Sequence, residues 1–101
     1  MLINRNNINK DLDEIISAIE MAGDTAQIKA FLHDILTEKE IKEFANRWRI
    51  AKMLNTGISW NKISQTTGAS TATISQINKK VKSKKGGIYA LLSKIYFTRG
   101  L

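Results

Sequence analysis

Apolar residues recur along this chain at intervals of three and four, and the blocks they form are divided by glycines and capping residues. That spacing predicts a succession of helices. Asn9 can cap a first helix whose stripe is Leu12, Ile15, Ile16 and Ile19. Gly23 then stops it in the left-handed conformation a residue without Cβ adopts freely. Asp24 and Gln27 have the spacing of a capping box and open a second helix carrying Ile28, Phe31, Leu32, Ile35 and Leu36. Thr37 and Glu40 form a better box, having the hydroxyl and carboxylate that its two reciprocal hydrogen bonds prefer. A third helix follows through Ile41, Phe44, Ala45, Trp48, Ala51 and Leu54, and Gly57 ends it. Trp48 falls on that apolar stripe, so it is expected in the core. Beyond the centre, Lys82-Ser-Lys-Lys-Gly-Gly reads as a flexible basic link in which Gly86 and Gly87 break any helix. A last helix then carries Ile88, Leu91, Leu92 and Ile95 on one face, with Tyr89 and Tyr96 beside it.

Between Ser59 and Val81 the pattern tightens into two short helices and a turn, the arrangement of a helix-turn-helix. Ser59 caps the first helix, Ile63 points inward, and small Ser64 lets the second helix approach. Gly68 supplies the turn. Ser70 caps the second helix, whose inward stripe is Ile74, Ile77 and Val81. At 100° per residue the opposite side holds Ala72, Ser75, Gln76 and Lys79, flanked by Thr71, Thr73 and Lys80. This outer face is small, polar and basic, and it suits a major groove, which admits one helix. Thr71 and Ala72 are small enough for close approach, and Gln76 is long enough to read an adenine edge through two hydrogen bonds. Asn61 and Lys62 lie in the first turn of the preceding helix, where a phosphate can meet them together with free amide groups. Trp60 is expected to pack on the third helix rather than against a sugar-phosphate strand.

The charge distribution agrees with that reading. The chain has 101 residues and a net charge of +7, but residues 1–40 carry four basic and eight acidic side chains whereas residues 41–101 carry twelve basic and one acidic. No carboxylate side chain follows Glu43. A stretch so free of acids repels itself when folded, which points to a polyanionic partner. Lys79, Lys80, Lys82, Lys84 and Lys85 are placed to neutralise phosphates and so position the protein without reading sequence.

Composition removes other classes. Cysteine is absent and His33 is the sole histidine, so thiolate chemistry, imidazole metal sites and serine–histidine pairs find almost nothing to work with. His33 is expected at the surface, and neither a metal nor a cofactor is expected. Gly86-Gly87 lacks the rest of a phosphate-binding loop. The chain is therefore read as non-enzymatic. No apolar run approaches the ~20 residues of a membrane span. The asparagine-rich start, residues 1–10, lacks the apolar core of a signal peptide. A cytoplasmic, nucleoid-associated protein is the expectation.

From Ile35 to Lys80 the sequence resembles the Trp repressor family, and in particular its Trp-repressor-like branch. The resemblance is carried by Leu36-Thr37-Glu-Lys-Glu, by Arg47-Trp-Arg-Ile-Ala-Lys-Met-Leu ending at Gly57, and by Gly68-Ala69-Ser70-Thr71-Ala72-Thr73-Ile74-Ser75. It implies an all-α fold of about six helices, an intertwined homodimer and repression by operator binding. It also implies a pocket beside the reading helix in which L-tryptophan lies between two arginines. Arg47 matches the first arginine, and Thr37 and Thr73 match residues lining that pocket. Gln76 stands at the second arginine and Ile77 at the glycine that follows it. One guanidinium is thereby lost and a branched side chain fills the space glycine leaves, so tryptophan is not expected as corepressor. Arg47 and Arg49 are then expected to pair with acids of the first two helices across the dimer, rather than to bind another small anion.

The expectation for the whole chain is a single helical domain, residues 1–101. Residues 1–36 dimerise, residues 37–81 form the core with the helix-turn-helix at 59–81, and residues 82–101 hold the basic link and last helix. The expected partners are double-stranded DNA and a second copy, with an effector, if any, of unknown identity. Two other functions compete with a transcriptional repressor. One is a nucleic-acid accessory module of the phage packaging or recombinase type. The other is an adaptor whose basic face docks an acidic protein.

Overall fold

The computed structural model describes residues 7–99, with side chains through residue 95. Among these residues there are six helices and no strand: α1 (Ile8–Ala22), α2 (Thr25–Ile35), α3 (Glu38–Asn55), α4 (Trp60–Thr67), α5 (Thr71–Lys82) and α6 (Gly87–Arg99). The fold is all-α, as expected. Contacts divide the chain into two compact units, residues 1–41 and 42–101.

In the first unit α1 pairs with α2. α1 starts at Ile8 with Asn7 in the capping position and no side-chain cap, so the expected cap at Asn9 is corrected. Asn9 already lies inside the helix, and a cap needs the non-helical backbone of the flanking residue. Gly23 has φ +75° and returns its N–H to the Ile19 carbonyl, ending α1 as expected. Asp24 caps α2 by accepting a hydrogen bond from the Gln27 N–H at 2.8 Å. The Thr37–Glu40 box closes fully. The Thr37 hydroxyl accepts from the Glu40 N–H at 3.1 Å, and the Glu40 carboxylate accepts from the Thr37 N–H at 2.9 Å. The hydrogen bond from the Thr37 backbone, helped by that from its side chain, holds the Glu40 carboxyl below its ordinary range. Neither α1 nor α2 has a buried residue. Leu12, Ile15 and Ile16 are each between 42% and 49% exposed, so the stripe foreseen on α1 forms but stays largely uncovered within the chain.

The second unit holds the core. Ile50 and Ala51 of α3, Ile63 of α4, Ile74, Ile77 and Val81 of α5, and Leu92 of α6 are buried together. Trp48, Met53, Leu54, Ala69 and Ile88 pack against them half-buried. Trp48 thus joins the core as its spacing foretold, with the Lys52 ammonium 6.0 Å from its ring centroid. α3 ends in a Schellman motif: the Ile58 N–H reaches the Met53 carbonyl and the Gly57 N–H reaches the Leu54 carbonyl. Gly57 has φ +80°, a left-handed value that explains why glycine stands there.

Three expectations in this unit change. Phe44 is 71% exposed and Ala45 is also exposed; the fully buried residues of α3 are Ala51, which lay on the expected stripe, and Ile50, which did not. Leu91 is 52% exposed, since Ile88, Leu92 and Ile95 already complete the inward stripe of α6. The break after α5 falls at residues 83–86, and Gly87 begins α6 rather than interrupting it. The basic link is a hydrogen-bonded turn, with the Ser83 N–H on the Lys80 carbonyl and the Gly86 N–H on the Ser83 carbonyl. Tyr96 lies outside the described side chains. His33 is exposed, as expected.

Candidate nucleic-acid interface

The corner between α4 and α5 is built from local hydrogen bonds. Ser59 caps α4 by accepting from the Lys62 N–H, and Ser70 caps α5 by accepting from the Thr73 N–H. The Ser70 hydroxyl also donates to the Thr73 hydroxyl at 3.0 Å. Gly68 closes α4 with φ +73°, in the left-handed region, and its N–H reaches the Ser64 carbonyl. The Ser64 hydroxyl donates to the Ala69 carbonyl at 2.9 Å, so this residue does more than make room for the second helix. Thr67 donates its hydroxyl to the Ile63 carbonyl and accepts from the Ala69 N–H. With Ile63 and Ile74 both at or below 1% exposure beneath the corner, α5 is held at both its polar turn and its apolar underside.

One further hydrogen bond comes from outside the corner. The Asn46 side-chain amide of α3 donates to the Thr67 carbonyl at 3.2 Å, across 21 residues of sequence. Sequence reasoning missed Asn46. A lone asparagine on a helix has no local signature, and only the folded geometry brings it to the turn.

The outward side of α5 agrees with the wheel at most positions. Ser70, Thr71, Ala72, Gln76, Lys79 and Lys80 are exposed, as are Asn61 and Lys62 at the start of α4. Thr73 and Ser75 are half-buried, which places them at the margins of the face. Thr73 is held there by the cap it makes with Ser70. Lys82 at the end of α5, with Lys84 and Lys85 beyond it, extends the exposed cations, and no carboxylate side chain interrupts them. Trp60 is 40% exposed and outside the hydrophobic cluster, so its expected packing is incomplete and part of the indole faces outward near Asn61 and Lys62.

Behind α5 lies a second feature. Arg47 lines a cavity of about 400 Å³ together with Phe44, Trp48, Ile77, Lys80 and Ile88. Its walls are largely apolar, with one cation from α3 and one from α5.

Two comparisons bear on this geometry. The sequence profile described as Trp repressor protein matches residues 10–95. The chain belongs to the Trp repressor family. The chain is also similar to a relative, the uncharacterized protein YerC of Bacillus subtilis (strain 168), at 39% identity over 70 residues. That match covers 69% of this chain and 67% of the relative. No solved structure matches the chain.

The Trp repressor family is one of DNA-binding helix-turn-helix regulators. Arg47 lines the cavity, but Thr73 and Gln76 are not among its lining residues, and Thr37 belongs to the unit of residues 1–41. Ile77 fills space at that cavity's edge and is itself 4% exposed, consistent with a side chain built into the core. No helix among the described residues is long and apolar enough to cross a membrane.

Proposed function

We propose that this chain is a dimeric, sequence-reading transcriptional repressor that lays α5 in the major groove and does not use tryptophan as its corepressor. The observation that carries the proposal is the outward side of α5, where exposed Thr71, Ala72, Gln76, Lys79 and Lys80 project from a helix anchored by Ile74, Ile77 and Val81. Small residues at the helix start permit close approach to base edges, and Gln76 can pair with adenine. Asn61, Lys62 and the lysines from Lys79 to Lys85 take the phosphates, which supplies affinity and register rather than sequence choice. Ser70, Thr73 and Ser75 complete the interface at its margin.

Dimerisation is supported by the apolar surface of α1 and α2, where Ile8 is 60%, Met21 86% and Ile35 55% exposed. Such side chains on adjacent helices call for a cover, and a second copy supplies one whose own stripe needs the same. Gln76 and Ile77 stand where the family has a stacking cation and a glycine, which counts against tryptophan. Any effector of other chemistry would use Arg47 of the candidate set Thr37, Arg47, Thr73 and Gln76. As a DNA regulator the protein would act in the cytoplasm, at the nucleoid.

Genome-wide occupancy, combined with transcript levels in its presence and absence, tests the function. Discrete sites whose adjacent genes rise when the protein is removed support a repressor. Diffuse occupancy with unchanged transcripts would replace the proposal with an accessory module. Absence from DNA together with a tight acidic protein partner would replace it with an adaptor.

A further inference from the structure

α3 and the reading corner are joined in two different ways. The first is apolar: Ile50 and Ala51 of α3 are buried with Ile63, Ile74 and Ile77. The hydrophobic drive is non-directional, so it holds the helices together and selects a range of crossing angles through interdigitation, leaving smaller tilts to directional contacts. The second is directional. Among the described residues, the Asn46-to-Thr67 bond is the one hydrogen bond linking α3 to the α4–α5 corner. The backbones pair closely at α4 with α5 and at α5 with α6, but not at α3 with α4 or α5. Besides the short connection from Thr56 to Ser59, whose backbone hydrogen bonds hold the start of α4 to the end of α3, side chains set the attitude of the corner on α3.

The acceptor stands at a sensitive place. Thr67 is the last residue of α4, and three residues later Ser70 caps the reading helix. Thr67 also receives the Ala69 N–H on its hydroxyl, so its position passes directly to the turn. Asn46 and Thr67 are both half-buried, in a cleft they share with Lys42, Glu43, Ala45 and Arg49, where water competes less than at an open surface. Asn46 itself is on α3, on a different element from the outward face of α5.

We infer that Asn46 is a positioning residue for the DNA-reading helix: its amide clamps the end of α4 and so fixes the angle at which α5 meets the bases. The inference rests on the reading that α5 recognises sequence. Losing one net hydrogen bond costs on the order of a three- to tenfold change in an equilibrium. For a positioning residue that change falls on base recognition. Phosphate contacts by mobile lysine side chains tolerate a tilted helix, whereas paired hydrogen bonds to a base edge do not.

The test measures affinity for a selected duplex and for a scrambled duplex of equal length, using the chain and its N46A and N46L variants. N46L keeps much of the side-chain volume, removes the N–H donor and adds no charge. I88A serves as a control for loosening of the core, since Ile88 packs on the same cluster from α6 and shares no hydrogen bond with the α4–α5 turn. Both Asn46 variants should bind the selected duplex roughly three- to tenfold more weakly, with the scrambled duplex within about twofold of the wild type. I88A should lower the melting temperature while leaving the ratio of the two affinities unchanged. Folded Asn46 variants that keep the wild-type ratio, or that lose both affinities in parallel as I88A would, overturn the inference. If N46A fails to fold, N46L decides alone. A wild-type chain that does not distinguish the two duplexes would instead overturn the reading of α5 as a recognition helix.

Discussion

The proposed function divides the exposed residues by the kind of work they do on DNA, and each division is measurable. Gln76 is exposed on α5 and long enough for a bidentate contact, so Q76A should lose ~1–3 kcal/mol on the selected duplex and nothing on a scrambled one. Lys79 contacts phosphate in this account, so K79A should weaken both duplexes alike and reduce the salt slope of binding by about one. Fluorescence anisotropy across a salt series separates the two behaviours, and a parallel loss for Q76A would remove it from the base-reading set. Glu40 offers a check on the start of α3. Its carboxyl titrates below the ordinary range because it accepts from Thr37, so the box is present at neutral pH and is lost as pH falls through that lowered value. In an NMR titration T37V keeps the backbone N–H but deletes the hydroxyl, and should move Glu40 part of the way back. An ordinary value in the wild type would mean the box is open.

At the scale of elements, much was legible because helix ends obey local chemistry. The Thr37–Glu40 box, the Ser59 and Ser70 caps, and the glycines at 23, 57 and 68 each involve partners within five residues, and each is found where the sequence put it. The misreadings share the opposite character. Phe44 and Leu91 sit on helical stripes, but which part of a stripe is buried depends on helices far away in sequence. Trp60 was expected to pack for the same reason, and Asn46 went unnoticed because its acceptor is 21 residues distant. Asn9 was off by two positions, the usual uncertainty of a helix start in a run of asparagines. The turn at Gly68 allows a sharp prediction. With nothing within 4 Å of an added Cβ, G68A carries only the cost of φ +73°, about 1 kcal/mol or slightly more. Thermal unfolding should shift down by roughly 4–8 °C. No shift would mean the corner does not need its left-handed residue.

For the molecule as a whole, sequence and structure meet at the uncovered apolar side of α1 and α2. The stripe was readable, and among the described residues it stays largely uncovered; the proposal gives a second copy as its cover. A dimer of this kind should sediment as one at micromolar concentration and melt at temperatures that rise with protein concentration. A monomer with a concentration-independent melting point would contradict it. Calorimetric titration with L-tryptophan should give no saturable heat, because Gln76 and Ile77 take the places of the second arginine and its glycine. A micromolar dissociation constant would contradict that.

These scales converge on one claim: two copies of α5 read a duplex together. Selection from a random duplex library at ~150 mM salt, where phosphate binding alone is weakened, tests it most directly. The account predicts one enriched palindrome whose half-sites lie about one helical turn apart, the spacing that places two recognition helices in successive major grooves. Enrichment of no sequence, with binding that simply falls as salt rises, would contradict it.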